Sequence, residues 1–155
     1  MTSIVVRYVD IYAARKTPRG WQFLLLRRAK GRTRADSWET IHGNIEPGEK
    51  PSAAARRELR EETGLVPEKL YNLSRVEAFY EDGPDHIVLI PAFVALVKHG
   101  ASVRLSDEHQ DAQWLAPAAA KKTFVWPRSA RAVEDAMRLL KTGSAGTVED
   151  VLRIR

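Results

Sequence analysis

Runs of β-branched, aromatic and other apolar residues divide much of the chain into segments that predict β-strands. These segments are Ser3–Ala14, Trp21–Arg28, Leu73–Tyr80, His86–Val97 and Asp111–Leu115. The short turn at residues 17–20 predicts an antiparallel hairpin between the first two. The run IVLIPAFVALV is the most hydrophobic in the chain and predicts a central strand covered on both faces, with a bulge or a sheet edge at Pro91.

Two other stretches have the features of helices. Ser52–Thr63 follows Pro51, which suits a first helical position, and precedes Gly64, which suits a left-handed cap. Pro127–Leu140 carries apolar residues at helical spacing, namely Ala130, Val133, Ala136, Met137 and Leu140. Residues 30–41 and 98–106 show no clear period and are predicted to be loops. The tail from Thr147 is expected either to add a turn or to fray.

This order of strands and helices predicts an α/β fold in which a mixed β-sheet is sandwiched between α-helices. The length of 155 residues suits one domain, residues 1–155, and the 44% apolar and 29% charged residues are ordinary for such a domain. No run reaches the roughly 18–20 apolar residues of a membrane span, so no membrane association is expected.

Cysteine content and charge narrow the chemistry further. The absence of cysteine excludes disulfides, thiolate catalysis and cysteine-ligated zinc, and we expect a cytoplasmic location. No signal-like start is visible, because Asp10 interrupts the first apolar stretch. The net charge of +5 suits an anionic partner. The densest basic run, residues 27–34, could face nucleotide phosphates, RNA or only water.

The helix after Pro51 concentrates acid in an unfavourable way. Glu58, Glu61 and Glu62 stand at i, i+3 and i+4, so three carboxylates share one face and each pair repels by roughly 0.2–0.5 kcal/mol. Two of them also lie in the last turn, where the helix dipole favours cations. A cation should therefore compensate, and the hard oxygen ligands suit Mg²⁺ or Mn²⁺.

The wider pattern around this helix is more specific. It reads Gly43, five residues, Glu49, seven residues, Arg57-Glu58-Leu59, one residue, Glu61-Glu62, one residue, Gly64-Leu65. The stretch resembles the Nudix box of the Nudix hydrolases at every fixed position. The resemblance implies the Nudix fold and hydrolysis of a phosphoanhydride in a nucleoside diphosphate derivative.

The resemblance also assigns roles within the box. It implies that Arg57 pairs with Glu49 and so orients its acidic neighbours. It implies metal ligands from the helical carboxylates and from a loop carbonyl, namely Glu58, Glu61, Glu62 and Gly43. Family members usually carry Pro-Gly before the box glycine, whereas this chain has Ile41-His42. We expect His42 to be a surface loop residue, with a substrate contact as the alternative.

Four positions outside the box are further candidates. Arg28 matches the basic residue that often reaches the phosphates in the family. Glu108 lies at a position comparable to the acid that, in many members, completes the metal site or acts as general base, with Asp107 as the alternative. One aromatic ring is expected to stack on the base, while the others belong to the core; the candidates are Trp38, Tyr80 and Trp126.

The sequence between Leu105 and Trp126 is similar to bacterial Nudix enzymes that cleave (deoxy)nucleoside triphosphates or dihydroneopterin triphosphate. We therefore expect a Mg²⁺-dependent pyrophosphohydrolase that releases monophosphate and pyrophosphate from a (deoxy)nucleoside triphosphate. Its expected catalytic residues are Glu61, Glu58, Glu108, Arg57 and Glu49. The alternatives are a dinucleoside polyphosphate or RNA 5′-triphosphate as substrate, or a nucleotide-binding regulator without catalysis.

Overall fold

The computed structural model of the protein covers Met1–Arg155 and forms nine strands and four α-helices. The strands are β1 (Ser3–Val6), β2 (Tyr8–Thr17), β3 (Gly20–Arg28), β4 (Trp38–Glu39), β5 (Ile41–Asn44), β6 (Lys69–Glu81), β7 (His86–Leu96), β8 (His109–Leu115) and β9 (Arg153–Ile154). The helices are α1 (Pro51–Thr63), α2 (Pro117–Thr123), α3 (Pro127–Leu140) and α4 (Glu149–Leu152), with a 3₁₀ turn at Gly146–Val148.

All strands belong to one mixed sheet with the order β4-β3-β2-β7-β6-β9. Strands β2 and β7 run parallel, and β1 continues beside β7 in the same sense. The predicted hairpin between β2 and β3 is present, with Thr17 paired to Gly20. Strand β5 pairs antiparallel with β2 and β8 pairs antiparallel with β3, where Arg28 at the end of β3 lies opposite His109 at the start of β8.

The alternation of side chains along the strands divides the core into two layers. From β2, Val9, Ile11 and Ala13 point to the side covered by α1, where they meet Leu59. Tyr12 points to the other side, which α2 and α3 cover. Each fully buried large apolar side chain contributes roughly 1.5–3 kcal/mol. The predicted mixed sheet sandwiched between helices is therefore confirmed.

Strand β7 is central, as its hydrophobic run predicts. Its second half alternates between the two core layers, with Phe93 on the α1 side and Val94 on the other. The predicted irregularity at Pro91 is also present, because the register with β6 shifts between the pairs Asn72–Phe93 and Val76–Pro91. A proline cannot donate a ladder hydrogen bond, so the strand tolerates it at such a bulge.

Several elements differ from the sequence-based expectation. The first predicted strand is interrupted at Arg7 and forms β1 and β2. The predicted loop over residues 30–41 contains β4 and the start of β5, which are too short to show a period. Helix α2 was not predicted, since its sequence PAAAKKT presents hardly any apolar stripe. None of the helices has the length and apolar character needed to cross a membrane.

Candidate active site

Helix α1 fixes the acidic residues against the sheet. Pro51 occupies its start, and Gly64 ends it in the left-handed conformation at φ 71°, donating its N–H to the carbonyl of Arg60 at 2.8 Å. Leu59 is fully buried in the core. Glu62 lies three residues after Leu59 and therefore on nearly the same, inward-facing side of the helix. Its exposed fraction is only 4%.

The approach of strand β5 to α1 requires a glycine at residue 43. A Cβ atom added to Gly43 would lie 2.1 Å from Cδ of Glu58, which is far inside any contact distance. The backbone of Gly43 is fixed by pairing with Val9 of β2. The glycine therefore lets the strand backbone and the Glu58 carboxylate share one wall of the site.

The guanidinium of Arg57 joins the loop before α1 to the helix carboxylates. It donates from Nε and Nη2 to the two carboxylate oxygens of Glu49, both at 2.9 Å. Nη1 donates to Glu58 at 2.8 Å and to Glu61 at 3.2 Å, and Nη2 also donates to the carbonyl of Asn44. These hydrogen bonds lower the pKa of Glu49. The pairing implied by the resemblance is thus present.

The carboxyl group of Glu62 has no such partner. Its Oε2 atom is buried and forms no hydrogen bond. Burial, followed by the charges of Glu108 and Glu58, raises the pKa of Glu62 to about 9. Burial also raises the pKa of Glu58, although Arg57 acts in the opposite direction. The inner end of this site therefore holds a carboxyl group whose ionised form the protein itself does not stabilise.

Glu108 reaches this site from the opposite wall. The loop before it closes over the end of α1, since the N–H of Arg104 donates to the carbonyl of Thr63 at 2.8 Å. At the β8 side, the carbonyl of Glu108 accepts from the N–H of Ala29 at 2.9 Å. Nη1 of Arg28 lies 3.7 Å from the Glu108 carboxylate. Glu108 lines the cavity described next, whereas its alternative Asp107 does not.

A cavity of ≈ 580 Å³ extends from these carboxylates along the sheet face that α3 covers. Its acidic end is lined by Arg28, Gly43, Glu58, Glu62 and Glu108. Its far end is lined by aromatic, apolar and charged side chains, including Tyr8, Phe79, Ile90, Trp126 and Arg128, with Glu77 and Glu81 on either side of Phe79 along β6. A cleft of this size and mixed lining is typical of a small-molecule site.

The three aromatic candidates lie in different places. Trp126, 36% exposed, lines the cavity, with the guanidinium carbons of Arg34 and Arg128 at 5.9 and 5.1 Å from its ring. Trp38 packs against the core. Tyr80 is 52% exposed, and its hydroxyl donates to Asp85. Since neighbouring strand residues point to opposite faces, Phe79 lines the cavity in its place.

Glu61 also differs from the other helical acids. Its side chain is 58% exposed and does not line the cavity. No three of the site's acidic side chains surround one point as a complete ligand set, and Arg57 is paired with both Glu58 and Glu61. Nevertheless, the unpaired oxygen of Glu62 and the nearby carboxylates are hard donors of one charge sign. They fit a divalent cation such as Mg²⁺.

Two residues of the cavity region, Asp10 and Arg128, were not expected there, and His42 was expected near the substrate only as the alternative. Asp10, fully buried on β2, accepts hydrogen bonds from Nδ1 of His42 at 2.6 Å and from Nε of Arg128 at 2.8 Å. His42 lies in strand β5 and lines the cavity, so its expected position in a surface loop was wrong. The signal in the sequence was a lone carboxylate within an otherwise apolar strand, since such a group needs buried partners.

Comparison with known proteins places the chain in a family. The NUDIX domain model matches residues 5–136. The chain is 30% identical over 87 residues to nucleoside triphosphatase NudI of Salmonella arizonae, covering 52% of this chain and 62% of that protein. It is 39% identical over 93 residues to an octanoyltransferase of Myxococcus xanthus, covering 59% of this chain and 26% of that protein. Both matches thus span less than two thirds of the relative's length.

Solved structures show the same fold. The Ap4A hydrolase of C. elegans superimposes with a TM-score of 0.73 at 24% identity, over 89% of this chain and 99% of that one. A Nudix hydrolase structure from Listeria monocytogenes gives a TM-score of 0.73 at 23% identity, over 96% and 98% of the two chains. Because the family model matches most of the sequence, and the box residues form the site described above, the chain belongs to the Nudix hydrolase family.

Proposed function

We propose that the protein is a divalent-cation-dependent pyrophosphohydrolase that converts (deoxy)nucleoside triphosphates to monophosphate and pyrophosphate. The observation that carries the proposal is the convergence of Glu58, Glu62 and Glu108 at one end of a cavity large enough for a nucleotide. Family membership supports cleavage of a nucleotide phosphoanhydride. The similarity to a nucleoside triphosphatase supports the substrate class.

The cation would be held by the cavity carboxylates and, from the helix surface, by Glu61. A bound Mg²⁺, or Mn²⁺ in its place, neutralises charge on phosphoryl oxygens and lowers the pKa of a bound water. The carbonyl of Gly43 is proposed as a further ligand, because its strand lies directly against Glu58. Arg57 keeps Glu58 and Glu61 on one side of the site through its hydrogen bonds to both.

Two side chains act on the substrate from the other wall. Arg28 lines the cavity with a side chain only 13% exposed, and its guanidinium suits the substrate's phosphates. The Glu108 carboxylate is proposed to accept the proton of the attacking water. The water oxygen then bonds to phosphorus while the anhydride P–O bond breaks, and pyrophosphate leaves with the electron pair of that bond.

A substrate screen tests the proposal. Pyrophosphate or phosphate release is measured with and without Mg²⁺ or Mn²⁺ for nucleoside triphosphates, dinucleoside polyphosphates and a short 5′-triphosphorylated RNA. We expect turnover of nucleoside triphosphates only with a cation. Absence of turnover of every compound under both conditions would overturn the proposal, and nucleotide binding without turnover would indicate a regulator. Preferential cleavage of the RNA would replace the substrate class.

A pair of variants locates the activity in this site. Glu61→Gln should remove most turnover while stability holds, because the side chain is largely exposed and forms only its contact with Arg57. The matched control is Glu134→Gln on α3, which is similarly exposed at 61% and lies outside the cavity. Normal turnover by the Glu61 variant would remove that residue from the site.

A further inference from the structure

A buried carboxylate connects the two sides of the cavity. Asp10 is the third residue of β2, between Val9 and Ile11, and all three residues are 0% exposed. Its Oδ1 atom accepts from His42 on β5, and its Oδ2 atom accepts from Arg128 on α3. One side chain therefore fixes two others that belong to different elements and both line the cavity.

This arrangement is better explained by positioning than by stability. Burial acts to raise the pKa of Asp10, but the hydrogen bond from His42 and the charge of Arg128 outweigh it, so the pKa is lowered and the group is ionised. A buried ion pair contributes little net stability compared with apolar residues of similar volume. A role in holding its two partners accounts for an ionised group at this depth.

Both partners keep hydrogen-bonding atoms for another molecule. Because Asp10 is ionised and accepts from Nδ1 of His42, that nitrogen carries the proton and Nε2 remains. Only the Nε atom of Arg128 donates to Asp10, and its two terminal nitrogens donate to no protein acceptor. The neighbouring arginines differ, since Arg34 is bonded to Glu39 and Arg131 to Glu77.

The surroundings of these atoms suit a planar ring more than a phosphate group. The indole of Trp126 lies 5.1 Å from the guanidinium carbon of Arg128, and the ring of Tyr8 lies 5.0 Å from that of His42. Phe79 and Ile90 add apolar surface to the same end of the cavity. Phosphates, in contrast, are served by the acidic end with its cation and Arg28.

We propose that Asp10 is a positioning residue, which holds Arg128 and His42 so that the Arg128 guanidinium binds the acceptor edge of the substrate's base. A guanidinium fork matches two adjacent acceptors, such as the 6-carbonyl oxygen and N7 of an oxopurine. The inference deepens the proposed function, because it rests on a nucleotide occupying this cavity. According to this inference, the protein prefers substrates whose base carries a carbonyl group.

Binding without catalysis tests the inference. Calorimetry with a chelator present compares inosine 5′-monophosphate with purine riboside 5′-monophosphate, which lacks the 6-carbonyl. We expect the intact protein to bind the oxopurine about tenfold or more tightly, as a lost bidentate contact implies. Arg128→Gln should reduce the affinity ratio to near one, and Arg128→Lys should reduce it in part, because lysine keeps the charge and can still donate to the carbonyl but lacks the planar fork.

Asp10→Asn should abolish the same ratio, although it leaves Arg128 in place. The control is Arg138→Gln, which removes an exposed arginine from the last turn of α3 and should preserve the ratio. A general structural defect would weaken both ligands alike, so the ratio separates positioning from folding. If the asparagine variant does not fold, the two Arg128 variants still decide the binding role.

Equal affinities in the intact protein, or a ratio that survives both Arg128 substitutions, would overturn the base-reading role. A ratio retained by folded Asp10→Asn would overturn the positioning role. Because these measurements need no turnover, they remain informative if the hydrolysis screen fails. Turnover with Mg²⁺ but no base preference would instead uphold the proposed function alone.

Discussion

Replacing Glu62 by glutamine should stabilise the protein when no divalent cation is present. The carboxyl group is buried with an unpaired Oε2 atom, and its pKa is raised from 4.5 to about 9. The folded protein must therefore hold it protonated at pH 7, while the unfolded chain exposes an ionised glutamate. The amide of glutamine has nearly the same shape and is neutral in both the folded and the unfolded state. The substitution therefore removes the free-energy cost of protonating Glu62 on folding.

The size and sign of the effect follow from the two pKa values. A raised pKa means that the stability contributed by proton binding is complete below pH 4.5 and is lost as the pH rises through about 9. At pH 7, about 2.5 pH units above the ordinary value, the cost is about 3 kcal/mol at 1.36 kcal/mol per pH unit. The protonated acid in the unmodified protein and the amide in the variant both leave a buried polar hydrogen without a partner. The penalty for burying it is therefore similar in the two proteins and largely cancels from the difference in stability.

Urea unfolding in the presence of a chelator measures this difference. At pH 7 the midpoint of Glu62→Gln should exceed that of the unmodified protein by about 1–2 M, using an m-value of about 2 kcal/mol/M. The gap should close near pH 4 and widen toward pH 9, and Mg²⁺ should narrow it. Glu134→Gln serves as the control and should show no such trend. A glutamine variant that is less stable at pH 7, or a gap independent of pH, would refute the reasoning.

The remaining predictions concern the supports of the site. Gly43→Ala should displace the Glu58 carboxylate, with an overpacking cost of about 1–3 kcal/mol and loss of turnover, as melting and activity assays will show. Arg57→Ala leaves partly buried carboxylates unpaired and should cost about 1–3 kcal/mol, and unchanged stability would argue against the bridge. Glu108→Gln should reduce kcat by about 10²-fold or more with little change in stability, and a normal kcat across the pH range would exclude it as base. Asp10→Asn should lose about 3 kcal/mol at pH 7, because Arg128 is left buried without its counterion. Because the pKa of Asp10 is lowered, its ionised form stabilises the protein above pH 3.8, and this contribution is lost as the pH falls through the pKa of the folded state. The difference in unfolding free energy between the variant and the unmodified protein should therefore become smaller in acid.

Long elements with a strong local pattern were predictable from the sequence. Helix α1 was expected from Ser52 and begins one residue earlier, at Pro51, and its end at Thr63 before Gly64 matches the prediction. The reason is that proline and glycine determine helix ends through local backbone geometry. The central position of β7 was predictable for a similar reason, since a continuous apolar run needs cover on both faces.

Elements that depend on distant contacts could not be predicted in the same way. Strand β4 comprises only Trp38 and Glu39 and exists because it pairs with β3. The choice between Phe79 and Tyr80 for the cavity depends on the register of β6, which the bulge near Ser74 shifts. A change of register by one residue moves every following side chain to the other face of the sheet.

The box residues were accessible to sequence reasoning because they act within one short segment. Arg57 reaches Glu49, Glu58 and Glu61, all of which lie in helix α1 or in the loop just before it. Asp10, in contrast, is bonded to His42 and Arg128, which lie 32 and 118 positions away in the sequence. No local sequence pattern therefore predicts this cluster. Its only sequence signal is a charge inside an apolar strand, which requires a partner but does not identify one.

Two deeply buried carboxylates of the cavity region, Asp10 and Glu62, differ in whether the fold supplies them with a counterion. Asp10 is surrounded by Arg128 and His42, and its pKa is lowered despite complete burial. Glu62 is buried almost as fully, but its neighbours include Glu108, and its pKa is raised. The fold thus provides two bonded counterions for Asp10, whereas Glu62 has none. Because an unpaired buried acid is costly, the acidic end should bind an external cation, and the variant pair Asp10→Asn and Glu62→Gln should change metal-free stability in opposite directions.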